Sequence, residues 1–372
     1  MVDVLLLFKK VLNMILWECE NENVKNLYVE TNLTEFGKVI GHFSTLYSEI
    51  YTLKKHNNIY IAKAPKINAN QSYEKIKDQI SKFIFEIDHI YSTCNSSLII
   101  KFGYAKVIGG VPFLISAKRH MTLRDAIEEQ ALSDVDAISV AYQVVCALEY
   151  CALKNIVCHQ DLKPENIFLD QIDKKFVYQT PYSFRYQAYL ADLGIANAAL
   201  IFNRPWGSRP YMPLEQYNKV TQDLFNTTFS KVDIFALGVN LYEMLTGGMH
   251  PIGERTSDIW PRSILGNKWS REEVWKKWAS KDIKIKFPQK ISNERLLELI
   301  EGCVQTDSAS RPDYKAIKSI LLKELNKLDL NAFESLNAYL NMLMEAESLN
   351  SSSGWPYMEG LVKDINQYFE NL

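Results

Sequence analysis

Asp161, Lys163 and Asn166 stand close together in Asp161-Leu-Lys-Pro-Glu-Asn166, and another acid, Asp192, follows in Ala191-Asp-Leu-Gly194. A lone aspartate in a loop is ordinarily an Asx turn or a helix cap. Here the spacing D-x-K-x-x-N, followed by D-L-G, is a chemical pattern. A carboxylate at 161 can orient a hydroxyl and accept its proton. An ammonium two residues later can reach a phosphate as a point charge. The amide oxygen of Asn166 and the carboxylate of Asp192 are hard ligands that suit Mg²⁺. Phosphoryl transfer to a hydroxyl asks for little else: in-line positioning and neutralisation of phosphate charge.

Two kinds of scaffold surround these residues. From about Phe36 to Ser116 the chain reads mostly as strands around one helix. Phe43–Tyr51 is β-rich, and a turn at His56-Asn-Asn58 leads into Ile59–Lys63, which together predict a hairpin. Ile76, Ile80, Phe83, Ile84, Ile87 and Ile90 recur at helical spacing within Gln71–Tyr91. Two strand-like runs follow, Leu98–Phe102 and Val111–Ile115, joined through Gly109-Gly110. Beyond them the pattern turns helical. One helix starts at Ser133, with Ser133 or Asp134 as its cap; a second, strongly apolar one covers Val232–Leu245, and more fill the chain to about Leu328. Ser351–Gly354 is a short break before a last helix-like piece, Met358–Phe369. There is no internal repeat.

Composition narrows the class. The 372 residues carry a net charge of −2, with 47% hydrophobic and 23% charged side chains. Those values exclude global disorder and argue against a nucleic-acid binder. Six scattered cysteines without a C-x-x-C pair suit reduced thiols and a cytoplasmic location. No run offers the roughly 18 uninterrupted apolar residues of a membrane span. The N-terminal MVDVLLLFKKVLNMILW is broken by Lys9 and Lys10, and its Asp3 counts against a secretory signal. A helix packed on the body of the protein is the favoured reading of that stretch; membrane contact by an interfacial helix is the alternative.

Val157-Cys-His-Gln-Asp-Leu-Lys-Pro-Glu-Asn166 resembles the catalytic loop of the eukaryotic-type protein kinases, H-R-D-L-K-P-E-N. In the same order, Asp192-Leu-Gly194 resembles D-F-G, and Gly207–Glu215 resembles the end of the activation segment. Asp233–Gly238 is similar to D-x-W-x-x-G, and Arg311 to the late arginine that pairs with the A-P-E glutamate. The resemblance covers roughly 34–328. It implies an α+β fold with a bilobal, protein-kinase-like architecture, a small β-rich lobe and a larger helical one. The division is 1–33 as an N-terminal helical extension, 34–117 and 118–328 as the two lobes, and 329–372 as a helical, acidic extension. By resemblance the cofactors are ATP and Mg²⁺, Asp161 and Lys163 are catalytic, and Asn166 and Asp192 bind metal.

The nucleotide side departs further from the family. Ile40–Tyr47 aligns with the glycine-rich loop, yet only Gly41 is kept; Val39 and Ser44 replace the other two glycines, which restricts backbone approach to phosphates. Lys63 is the expected ATP lysine, with Lys66 as competitor, because Pro65 would disturb the strand around Lys66. Its acidic partner is expected to be Glu86, with Glu74 the alternative. Adenine is expected against the backbone of about Ala117 to Arg119, with Ser116 as gatekeeper.

Gln160 replaces the H-R-D arginine, on which a phosphorylated activation segment docks in the family; a neutral amide makes no bidentate phosphate pair. Between Asp192 and Glu215 the only hydroxyls are Ser208 and Tyr211. Activity is therefore expected not to depend on activation-loop phosphorylation. Twenty-five residues separate Asn166 from Asp192, about twice the family's length by resemblance, and the extra piece is aromatic-rich. It reads as a lengthened hairpin or as a partner-contacting element. Lys163-Pro164 favours Ser/Thr over Tyr acceptors by resemblance. The segment 268–290 is net +5, with Trp269, Trp275 and Trp278 interleaved. It reads as a solvated basic face with tryptophans packed inward, or as a dock for an acidic protein substrate or for the chain's own acidic tail. An active Ser/Thr protein kinase is the leading expectation. A pseudokinase comes next, and a small-molecule phosphotransferase last, opposed by Lys163-Pro164, Glu215 and Asp233.

Overall fold

Tight turns set the register of the first sheet. The computed structural model describes residues 14–45, 47–68, 71–172, 184–197, 207–217, 231–260, 272–281, 285–286 and 291–349. Within it β1 (Lys38–Ser44), β2 (Ser48–Lys55), β3 (Asn58–Pro65), β4 (Tyr104–Ile108) and β5 (Val111–Ala117) form an antiparallel sheet in the order β1-β2-β3-β5-β4. Gly109 and Gly110 both take positive φ, 53° and 81°, which is the two-residue turn that joins β4 to β5 without splaying them. The expected strand at Leu98–Phe102 is not there. The partner of β5 is Tyr104–Ile108, and Leu98–Ile99 instead meets Leu190 through a backbone bond of 2.8 Å and a single bridge. The apolar Leu98-Ile-Ile run suggested a strand, but the glycine turn dictates that the residues just before it pair with β5.

Two compact units result. One holds the described residues up to Cys94 together with Ile100–Lys118; the other holds Asn95–Ile99 and the described residues from Arg119 onward. In the first, α1 (Glu22–Leu33) starts where the Asn21 side chain accepts the N–H groups of Asn23 and Val24, and it buries Val29 and Leu33. Leu16 and Trp17 are buried as well, and Leu16 donates its N–H to Gly109 O at 3.0 Å. The end of the N-terminal apolar run thus packs on the β4–β5 turn. Helix α2 (Tyr73–Ser92) buries Ile76, Ile80, Phe83, Ile87 and Ile90, and one charged residue among them, Glu86.

In the second unit α3 (Leu123–Glu128) precedes the long core helix α4 (Asp134–Leu153). Ser133 caps α4, accepting the Asp136 N–H at 3.2 Å while the Asp136 carboxylate takes the Ser133 N–H at 3.0 Å. By length and composition α4 could cross a membrane, but two-thirds of its most apolar window (67%) is buried inside the unit. β6 (Met121–Thr122), β7 (Ile167–Gln171) and β8 (Tyr186–Leu190) form a small antiparallel sheet against α4. Further along come α5 (Leu214–Tyr217), α6 (Lys231–Thr246), α7 (Thr256–Ile259), α8 (Glu272–Ala279), α9 (Glu294–Cys303) and α10 (Tyr314–Leu328). A Cβ on Gly238 of α6 would lie 2.7 Å from the Cys303 Cβ, so glycine lets α6 and α9 cross closely. All six cysteines are free thiols. The start of the N-terminal run, most of the aromatic insertion, Trp269, the Ser351–Gly354 break and the tail beyond it lie outside the described residues.

Helix α11 (Leu330–Leu349) follows α10 and is built into the second unit. Ala332 and Leu336 are fully buried, Tyr339 meets the Phe184 ring at a centroid distance of 5.9 Å, and Glu347 accepts the Ser97 N–H at 2.5 Å. Leu336→Ala is expected to cost about 2–5 kcal/mol, the range for a leucine removed from a close-packed core. Urea unfolding with unchanged m value checks this, and a loss below about 0.5 kcal/mol, typical of a surface site, would remove α11 from the core.

Candidate active site

Strand β3 and helix α2 bring together the first pair. Lys63 stands opposite Ile50 on β2 and Leu114 on β5, and its Nζ lies 2.5 Å from Glu86 Oε1, both side chains largely shielded from water. The competitor residues are elsewhere. Lys66 donates to Thr45 O at 3.4 Å, and Glu74 is exposed in the first turn of α2. Strand alternation separates the two lysines: three residues apart, they cannot share a face. Pro65 ends the strand and pairs with Ser48 without breaking it. Gly41 sits at a register shift in β1, where an added Cβ would make only ordinary contact, 3.7 Å from Thr52. Packing within the protein therefore does not demand glycine there. Beside it His42 and Ser44 both bond Glu49, at 2.8 and 2.5 Å. Ala117 ends β5, with Ser116 beside it opposite Ile61. The Arg119 guanidinium donates to Asp170 at 2.8 Å and lies over the Tyr189 ring.

The second constellation lies in the helical unit, and its backbone can be accounted for bond by bond. Asp233, buried at the start of α6, accepts the N–H groups of His159 at 2.7 Å and Gln160 at 3.0 Å. Burial pushes its carboxyl above the usual range, and His159 and these two amides oppose that rise. Asp161 donates its N–H to His159 Nδ1 at 3.3 Å, leaving Nε2–H to donate to Ala191 O at 2.8 Å. Leu162 O accepts from Asn240 Nδ2, Gln160 O from Gln216 Nε2, and Asp161 O from Asn166 Nδ2. Gly207, with φ of 128°, is needed because a Cβ there would come within 2.5 Å of both Gln160 O and Gln216 Nε2.

The chemistry-bearing side chains converge on Asp161. Its Oδ2 accepts Lys163 Nζ at 2.5 Å and Asn166 Nδ2 at 3.1 Å, while Oδ1 is buried without a hydrogen-bond partner among the described residues. Lys163 Nζ also donates to Ser208 Oγ at 2.9 Å. Burial alone would lower the Lys163 pKa, but the Asp161 carboxylate, then Asp192 and Glu165, outweigh it and hold the ammonium charged. Because Asn166 turns its Nδ2 toward Asp161, its Oδ1 is the atom left for a cation. Asp192, in the left-handed region at φ 63°, is exposed. Among the described residues no three His, Cys, Asp or Glu side chains form a metal cage. A carboxylate and an amide oxygen alone fit Mg²⁺, which keeps most of its shell as water and phosphate oxygens.

The family of protein kinase domains matches residues 35–321. This chain belongs to it. Similar proteins include the dual specificity mitogen-activated protein kinase kinase jkk-1 of Caenorhabditis elegans, 21% identical over 65% of this chain and 51% of its own. The calcium/calmodulin-dependent protein kinase cmkA of Emericella nidulans is 30% identical over 56% of this chain and 44% of its own. A probable serine/threonine-protein kinase, mkcE, of Dictyostelium discoideum is 22% identical over 79% of this chain and 36% of its own. The chain spans about half or less of the length of these relatives.

Around this kinase site the structure adds residues that the sequence reading missed. Buried Arg124 of α3 donates to Glu165 Oε1 at 2.9 Å and to the Tyr211 hydroxyl at 2.5 Å, and it pairs with Glu243 at 2.9 Å. Tyr211 donates in turn to Glu243 at 3.0 Å. Both candidate hydroxyls of the activation segment are thus engaged, Ser208 by Lys163 and Tyr211 inside this network. A signal did exist: Glu243 and Asn240 lie within the strongly apolar helix α6, where a polar group needs a partner. The expected pair of Glu215 with Arg311 is present as two bonds, 2.5 and 3.1 Å. Trp275 is fully buried and Trp278 packs on the same cluster, with Lys276 and Lys277 exposed, so this part of the basic segment is a solvated face over inward tryptophans.

His250 holds the activation segment from below. Its Nε2–H donates to Pro210 O at 2.9 Å, Nδ1 accepts the Ile252 N–H, and the Trp275 and Trp278 rings flank it. Burial, first of all, pushes its pKa down to about 3. The unfolded chain takes up this proton below its ordinary 6.5, while the folded protein resists until near 3. Stability from this group is therefore complete above about pH 7 and falls as pH drops through that window, by roughly 2 kcal/mol from pH 7 to 5. His250→Gln keeps a donor for Pro210 O and cannot titrate. Urea unfolding at both pH values should show a smaller acid loss in the variant; equal losses would refute the assignment.

Proposed function

We propose that this chain is an active Mg²⁺- and ATP-dependent kinase that phosphorylates Ser or Thr hydroxyls of protein substrates, without needing phosphate on its own activation segment. The observation that carries this reading is Asp161 Oδ1: a buried, unpartnered carboxylate oxygen, whose sibling Oδ2 is pinned by Lys163 and Asn166. Leaving such an atom unsatisfied costs about 1–3 kcal/mol, which makes sense where an incoming hydroxyl supplies the missing bond.

In this mechanism Oδ1 accepts the acceptor's O–H, orients its oxygen toward the γ-phosphorus and takes the proton as the new P–O bond forms. The bond from the γ-phosphorus to the ADP oxygen breaks, and ADP leaves. Lys163, kept charged by Asp161, offsets charge on the transferred group, and its bond to Ser208 fixes its direction. Asn166 Oδ1 and the Asp192 carboxylate would hold Mg²⁺, which supplies charge neutralisation on the phosphates. Lys63, oriented by Glu86, binds phosphate oxygens, and Gly41 admits them close to the β1 backbone. Lys163-Pro164 and the similarity to the probable serine/threonine-protein kinase mkcE support the acceptor class.

Phosphate independence is supported by what holds the activation segment. Gln160 takes the place of a phosphate-binding arginine, and uncharged bonds from Gln216 to Gln160 O and from His250 to Pro210 O join the Arg124–Tyr211–Glu243 network in fixing residues 210–216. One observation favours a pseudokinase: Ser44 and His42 fasten on Glu49 where the family has an open glycine loop.

Purified protein with Mg²⁺ and γ-labelled ATP is expected to label Ser or Thr of a generic protein acceptor. Asp161→Asn should lower kcat by at least about a hundredfold, and phosphatase pretreatment should leave the wild-type kcat within about twofold. Absence of transfer while ATP raises the melting temperature would establish the pseudokinase instead.

A further inference from the structure

We infer that Asn197 is a positioning residue that locks the segment carrying Asp192 onto the catalytic loop through three uncharged hydrogen bonds. The inference rests on the kinase reading of that site. From Asp192 to Asn197 the chain makes one 3₁₀ turn, Leu193–Ile195, bounded by two non-glycine residues in the left-handed region, at φ 63° and 58°. Each is an unfavourable backbone state that persists only when the surroundings hold it. Asparagine is among the few residues that tolerate it.

Asn197 supplies the hold itself. Its main-chain N–H donates to Cys158 O at 2.9 Å, and its Oδ1 accepts the Cys158 N–H at 3.1 Å. The side chain thereby completes a two-way rung of the kind two strands would make. Its Nδ2 donates to Asn155 O at 2.9 Å, just past the C-terminus of α4, where Asn155 is itself left-handed at φ 62°. The next loop residue, His159, bonds Ala191 O, and Ala191 donates its N–H to Asn166 O at 2.9 Å. Asp192 is therefore fastened on both sides, with Asn197 as the downstream fastening. Gln160, whose Nε2 lies 3.1 Å from Cys158 Sγ, adds another neutral amide to the same cluster. No element of this clasp is charged, so it needs no phosphate to close.

Two variants test it in the full chain. Asn197→Gly keeps the main-chain bond and the left-handed backbone but loses both side-chain bonds. Asn197→Asp keeps the acceptor for the Cys158 N–H but, ionised at neutral pH, loses the donor to Asn155 O and sets a negative oxygen against that carbonyl. Asn197→Gly is expected to lower kcat about tenfold and to raise the Mg²⁺ needed for half-maximal rate several-fold, with KM for the acceptor unchanged. Asn197→Asp, which keeps one side-chain bond and loses the other, should change kcat and Mg²⁺ requirement in the same direction, again with KM for the acceptor unchanged.

Wild-type kcat and Mg²⁺ requirement in both folded variants would overturn the inference. If Asn197→Gly does not fold, Asn197→Asp decides alone. Amide exchange at Cys158 and Asn197 gives a readout independent of turnover. It should quicken at least about tenfold in Asn197→Gly, and unchanged exchange would overturn the clasp even if the wild type proved to be a pseudokinase.

Discussion

A single buried carboxylate organises the helical unit's chemistry. Among the described residues no cationic side chain is bonded to Asp233; it is held by two consecutive backbone N–H groups, those of His159 and Gln160. A charge taken out of water in that way survives only with such donors in place, so the start of α6 and the loop before Asp161 cannot be arranged separately. Everything that follows in the loop inherits its position from that bond. The His159 ring reaches Ala191 O, Asn240 takes Leu162 O, and Asp161 arrives with one oxygen committed and one unfilled. Gly238, five residues beyond Asp233, lets α9 pack against the same helix, so the motif serves packing and the loop together.

Charge is used sparingly around that loop. Lys163 is the cation bonded to Asp161, and it stays ionised despite burial because Asp161, Asp192 and Glu165 surround it. Arg124 is spent on Glu165 and Glu243, and Arg311 on Glu215. The remaining fastenings are neutral: His250 to Pro210, Gln216 to Gln160, Asn197 to Cys158 and Asn155. Neutral bonds do not respond to a phosphate's arrival or departure as an arginine pocket does.

The parts outside the family's core are structural members of their units. Helix α1 and the Leu16–Trp17 turn cover the β-sheet and its β4–β5 turn. Helix α11 buries Leu336 and Ala332 and bonds the segment at Ser97. A chain cut at Leu328 would expose that apolar seat, so regulatory effects of the acidic tail can be separated from folding only by cutting beyond Leu349.

Short-range patterns were legible in the sequence because they depend on neighbours along the chain. The Ser133 cap, the periodicity of α2, the β2–β3 hairpin and the loop Asp161–Asn166 each declare themselves within a few residues. Lys63 and Glu86 could be proposed from the kinase resemblance, the neighbouring Pro65 and the place of the following helix, yet Lys66 and Glu74 stayed open until β3 was registered against β2 and β5. The strand before Gly109 was misplaced for the same reason: hydrophobicity favoured Leu98–Ile100, while pairing across the turn selected Tyr104–Ile108. Bonds spanning tens of residues had no local signature. Arg124 with Glu243, His250 with Pro210 and Asn197 with Cys158 join groups that only packing brings together. The sequence by itself determined which chemistry is present; tertiary structure decided which atoms are spent holding it and which, like Asp161 Oδ1, are left to act, because a buried polar atom's partner is chosen by proximity in space.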